Sequence, residues 1–126
     1  AVLTRLVGTP LAPDFKGAIL VLEEVAEAPY RVDRMLAHLQ LAGVLDAVSG
    51  VVLGTFTTGP LDPDPPTLSL DEVFRDHLAH RSYPVVTGLP YGHHLPRCSL
   101  PLGLPVHLHA SPTDATLNAE GSLVAP

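Results

Sequence analysis

Apolar and polar positions alternate between two periods along this chain. Ala18 to Val25 is apolar on both alternating faces until Glu23 and Glu24, which predicts a central strand covered on both sides and ending in acid. Glu27-Ala28-Pro29-Tyr30 then opens a helix, with Pro29 tolerated in its first turn. Val32, Met35, Leu36 and Leu39 follow helical spacing and predict its buried stripe, leaving Arg31, Arg34 and His38 off it. Gly43 is the expected C-cap. Val51-Val52-Leu53 predicts a second buried strand ending at Gly54.

Gly59 to Pro66 holds four prolines and two aspartates and is expected to be an exposed loop. Ser69-Leu70-Asp71-Glu72 has the spacing of a capping box. The helix it starts carries Val73, Phe74, His77 and Leu78 on one face. Pro84 to Thr87 is a short strand that delivers the loop Gly88 to His93. Farther on, Cys98 to Leu102, Val106 to His109 and Ala115 to Leu117 read as short strands, the last two as a hairpin across Ser111 to Asp114. The order predicts an α/β fold. Its sheet is mixed and can curl towards a barrel, with helices packed on one side. Thr9 to Lys16 is a loop. Val2 to Val7 reads as the tail of a helix ending at Gly8, and residue 1 is not Met, so further sequence upstream is expected.

A chain of 126 residues is one domain by length. A net charge of -6 with seven Lys and Arg argues against a nucleic-acid partner, because few phosphates could be neutralised. No apolar run approaches the ~20 residues of a membrane span. The single cysteine, Cys98, excludes an internal disulfide.

Two segments carry candidate chemistry. A carboxylate at the end of a buried strand (Glu23 or Glu24) and a histidine in a glycine-flanked loop (His93) are two parts of a Ser-His-acid relay. The third part, a serine on a strand-to-helix elbow, is not visible. Strand alternation sends Glu23 and Glu24 to opposite faces, so only one can meet His93. From the residues alone His93 reads equally as a structural loop histidine, and Glu23 as a solvated strand end. His93, His94, His107 and His109 with Cys98 invite a zinc reading, against which stands a polar strand face. Tyr30, Asp33 and Arg34 read as bracing contacts on the first helix.

The ordered set of motifs resembles the C-terminal domain of the LD-carboxypeptidases, the serine peptidase family that includes the microcin-immunity hydrolases. Gly17 to Glu24 is similar to the family's Gly-x-Ile-Leu-Phe-Leu-Glu-Asp. Pro29 to Leu36 is similar to its Pro-Tyr-x-Ile-Asp-Arg-x-Leu helix. Val7 to Pro10, Leu41 to Gly43, Gly50 to Gly54, and Gly92-His93 with Leu100 to Gly103 extend the likeness over about a hundred residues. Glu24 stands where the family has Asp, and His94 where a small residue is common.

The resemblance implies a swivelling β/β/α domain over residues 1–126, with the nucleophile on an N-terminal domain that this chain lacks. Glu23 would be the relay acid and His93 the general base of a serine hydrolase that needs no cofactor or metal. The expected substrate is a murein peptide, cut at an L,D-bond to release a terminal D-amino acid. A peptidyl-nucleotide of the microcin type, or a non-catalytic interaction role, are the alternatives. The family context further implies a cytoplasmic homodimer, and the missing nucleophile implies a chain inactive by itself; charge and hydropathy, as above, leave no nucleic-acid or membrane partner expected.

Overall fold

The computed structural model describes residues 1–59 and 68–121. Three parallel strands form the centre: β1 (Ile19–Glu24), β2 (Gly50–Phe56) and β3 (Val85–Thr87), in the order β1-β2-β3. Leu20 pairs with Val51, Val21 with Val52, and Val51 in turn with Val85. Parallel neighbours need a crossover, and helices supply both. The first is α2 (Pro29–Leu41) followed by the short α3 (Val44–Ala47); the second is α4 (Leu70–Leu78). A five-residue helix, α1 (Val2–Leu6), precedes β1. An antiparallel hairpin, β4 (Val106–Ala110) and β5 (Ala115–Ala119), closes the described chain.

The sheet's two faces are covered differently. Leu20, Val51 and Leu53 pack with Val32, Leu36 and Leu39 of α2 and with Val73 and Leu78 of α4 in one core. Each such buried aliphatic side chain contributes about 1.5–3 kcal/mol, so this cluster outweighs the surface ion pairs, worth ~0–1 kcal/mol each. On the other face a Cβ at Gly50 would lie 3.0 Å from Ile19 Cδ1 and 2.9 Å from Leu108 Cδ2, so the hairpin sits over that side. The result is a helical layer, a parallel sheet and an antiparallel hairpin. Parallel and antiparallel pairings fall in two separate sheets, and no closed barrel forms among the described residues.

Local signals hold where a single residue dictates geometry. Ser69 caps α4: its hydroxyl accepts from Glu72 N–H at 3.3 Å while the Glu72 carboxylate accepts from Ser69 N–H at 2.8 Å. Gly43 takes φ 75° just beyond α2 and at the same time caps α3, a helix too short to show a period in the sequence. Gly8 takes φ 85° just beyond α1. The strand expected at Cys98 to Leu102 does not form. Pro96 and Pro101 bring no N–H to a ladder, and Cys98 N–H bonds Pro90 O at 2.6 Å instead of a strand partner. The proline-rich loop expected over Gly59 to Pro66 lies, from residue 60 onward, outside the described residues.

Candidate active site

The site is built at the carboxyl ends of the strands, where α/β sheets place ligands. Glu23 is the penultimate residue of β1. Opposite it the ladder slips: Leu22 pairs with Leu53 but Glu24 with Phe56, so β2 carries one extra residue at this point. Such a bulge re-aims nearby side chains and is frequent beside active sites.

The extra residue follows Gly54, and nothing larger than glycine fits there. A Cβ at Gly54 would stand 2.5 Å from the carbonyl oxygen of Tyr91 and 3.4 Å from Glu23 Cβ. The close approach lets Thr55 N–H donate to Tyr91 O at 2.8 Å, which ties the loop after β3 onto β2. Leu89 N–H also donates to Leu53 O, at 3.3 Å. Gly92 follows with φ 137°, and a Cβ there would lie 3.1 Å from Glu23 Oε2. Two glycines thus let the loop come down against the acid.

The consequence is one contact. Glu23 Oε2 lies 3.0 Å from His93 Nδ1. Glu23 is a quarter exposed and His93 is 70% exposed. A carboxylate accepting from Nδ1 selects the tautomer that leaves Nε2 as the basic nitrogen. Among the described residues no serine hydroxyl bonds that ring. Glu24 lines the same cavity but does not bond the histidine. Its carboxylate accepts from its own neighbour Val25 N–H. Arg31 pairs with Glu27 at 3.2 Å.

Glu23 and His93 border a cavity of about 320 Å³. Its remaining wall is mostly apolar, with Val21, Leu22, Met35, Phe56 and Tyr91. Phe56 is held edge-on against Phe74 of α4, with ring centroids 4.9 Å apart.

The other candidate residues go elsewhere. His107 pairs with Glu120 across the hairpin. Among the described residues, no group of three His, Cys, Asp or Glu side chains is arranged to hold a metal. Among them, too, no helix is long and apolar enough to cross a membrane. Asp33 does brace, but it braces α4: His77 Nε2 lies 2.7 Å from Asp33 Oδ1, and His77 Nδ1 lies 3.4 Å from Gln40 Oε1. Tyr30 is exposed, and its hydroxyl accepts from Arg31 Nε at 3.1 Å. Sequence reasoning passed over Gly54 and Gly92 as site residues. A glycine at the end of a buried strand and another beside the loop histidine were the available signal.

An acid and an imidazole joined over a cavity at the carboxyl edge of a parallel sheet form an arrangement suited to acid–base chemistry in an α/β enzyme. Residues 1–108 match the family described as the LD-carboxypeptidase C-terminal domain. A protein of Synechocystis sp., provisionally named a carboxypeptidase, is 39% identical over 102 residues, covering 81% of this chain and 34% of that protein. The crystal structure of muramoyltetrapeptide carboxypeptidase from Oxalobacter formigenes superposes with a TM-score of 0.84 at 36% identity, over 94% of this chain and 41% of that one. The microcin C7 self-immunity protein MccF, in complex with aspartyl sulfamoyl adenosine, superposes with a TM-score of 0.77 at 26% identity, over 94% of this chain and 35% of that one. The chain belongs to the family of LD-carboxypeptidase C-terminal domains. It spans between about a third and two fifths of the length of these relatives.

Proposed function

We propose that this domain supplies the acid and the base of a Ser-His-Glu relay, and that the serine belongs to an N-terminal domain outside this sequence. The observation that carries the reading is the 3.0 Å contact between Glu23 Oε2 and His93 Nδ1. In the relay His93 Nε2 takes the serine proton as the hydroxyl attacks a peptide carbonyl, and returns it to the leaving amine. Glu23 holds the ring and stabilises the imidazolium that forms. The exposure of His93 supports a nucleophile arriving from another domain, since one face of the ring is open to it.

The proposed substrate is a murein peptide, cut at the bond between an L-centre and a terminal D-residue. Support comes from the 36% identity to the Oxalobacter formigenes enzyme, whose name states the muramoyltetrapeptide. A peptidyl-nucleotide is the second reading, supported by the similarity to MccF. Purified whole protein offered a murein tetrapeptide and an aminoacyl sulfamoyl adenosine separates the two. Free D-alanine from the first, with the second left intact, is the expected result. Cleavage of the second alone reverses the assignment, and no cleavage of either favours a non-catalytic interaction role.

A further inference from the structure

The helical side of the molecule carries a concentration of positive charge that the relay does not use. Arg31, Arg34 and His38 stand at helical spacing on one exposed stripe of α2, and such positions are neighbours on the helix surface. Arg5 of α1 faces them across a cleft of about 240 Å³. Three of the chain's seven Lys and Arg side chains therefore line one cleft of a protein whose net charge is -6. Glu27 is the sole carboxylate among the lining residues, and it is paired with Arg31. Among the described residues Arg5 and Arg34 make no ion pair. Like charges at this spacing repel one another on a helix.

The cleft adjoins the relay cavity. Ala1, Thr4 and Met35 line both, so Met35 forms a shared wall between the cationic stripe and the chamber holding Glu23 and His93. From Arg31 to His38 the stripe runs about 10 Å along the helix axis. We propose that this cleft binds a carboxylate of the peptide substrate remote from the bond that is cut, on the side away from the departing residue. Arginine suits this task because its planar fork matches a carboxylate with two parallel hydrogen bonds. The inference rests on the peptidase reading for the nature of its ligand, but anion binding is measured without turnover.

The test uses the whole protein with His93→Ala, which halts turnover, and calorimetric titration with a murein tetrapeptide, in its free-acid form and with the carboxylates upstream of the terminal D-residue amidated. With the cleft unaltered, this protein is expected to prefer the acid form at least tenfold. Arg34→Gln and Arg5→Gln added to it should each remove most of that preference, whereas Arg75→Gln, on α4 outside the cleft, should retain it. An equal preference in the Arg34 and Arg5 variants, or none with the cleft unaltered, overturns the proposal. D-alanine release by the same cleft variants with His93 present keeps the two readings apart. No preference together with intact release by native protein sinks the cleft alone, and a preference without release sinks only the relay.

Discussion

At the residue scale the site depends on what is missing as much as on what is present. Glu23 and His93 are 70 positions apart in sequence, and they meet because Gly54 and Gly92 have no side chain where the loop crosses the strand end. Gly54→Ala should push the Tyr91 carbonyl away, since the new carbon would sit 2.5 Å from it. In the whole protein this substitution is expected to lower kcat by roughly 10²-fold, the scale of a ~1 Å misplacement. Steady-state kinetics together with a circular dichroism spectrum check it; a folded variant with native kcat would refute the argument. The pair of acids was legible in part. Strand alternation says that only one of Glu23 and Glu24 can meet His93, and Glu23 is the one that bonds it. The bulge beside them was not legible, because it arises from one extra residue in β2 and no composition marks it.

At the element scale the helices were the most readable part. The stripe expected on α2 is buried at Val32, Leu36 and Leu39, with Met35 half-buried against the same core. The capping box stands as its spacing indicated. Ser69→Ala should cost about 1 kcal/mol, measurable as a lower urea midpoint. The backbone N–H and then the hydroxyl of Ser69, donating to the Glu72 carboxylate, hold its pKa below the ordinary glutamate value. A carboxyl group whose pKa is depressed on folding contributes stability that is present above the unfolded value and lost as pH falls through the folded one. Glu72→Gln should therefore be less stable than native protein at neutral pH and equal to it at strongly acidic pH. A stability difference independent of pH would count against this linkage.

Between elements, the contact of Asp33 with His77 joins α2 to α4. A double-mutant cycle on this pair should give a coupling of ~0.5–3 kcal/mol, and additive effects would show that the contact stabilises nothing. The sequence placed both residues on helices but could not pair them, because the helix crossing is set by the core and not by either motif. The failed strand at Cys98 to Leu102 has a local origin: its pattern looked like a strand, and Pro101 brings no N–H to a ladder while Cys98 N–H is taken by Pro90 O.

On the scale of the whole molecule, the α/β class and the order of its elements were readable from the two hydrophobic periods. The hairpin expected across Ser111 to Asp114 forms, but its separation from the parallel sheet was not legible, since strand periods do not say which strands pair. Leu95 and Leu102 are more than four-fifths exposed and Val2 and Leu11 about three-quarters, so apolar area remains uncovered on this chain. With the nucleophile proposed to lie on another domain, the isolated chain should release no D-alanine from a murein tetrapeptide. It should also bind an apolar dye more strongly than the whole protein does. Peptidase activity in the isolated chain, above a catalytically dead control, would place the nucleophile here after all.

The most direct measurement compares D-alanine release from a murein tetrapeptide by the whole native protein and by Glu23→Gln, Glu24→Gln, His93→Ala and His94→Ala. The account predicts losses of kcat/KM of about 10⁴-fold for Glu23→Gln and His93→Ala, with Glu24→Gln and His94→Ala within roughly tenfold of native. Native activity retained in the Glu23 or His93 variant, or the large loss falling on Glu24 or His94 instead, would contradict it.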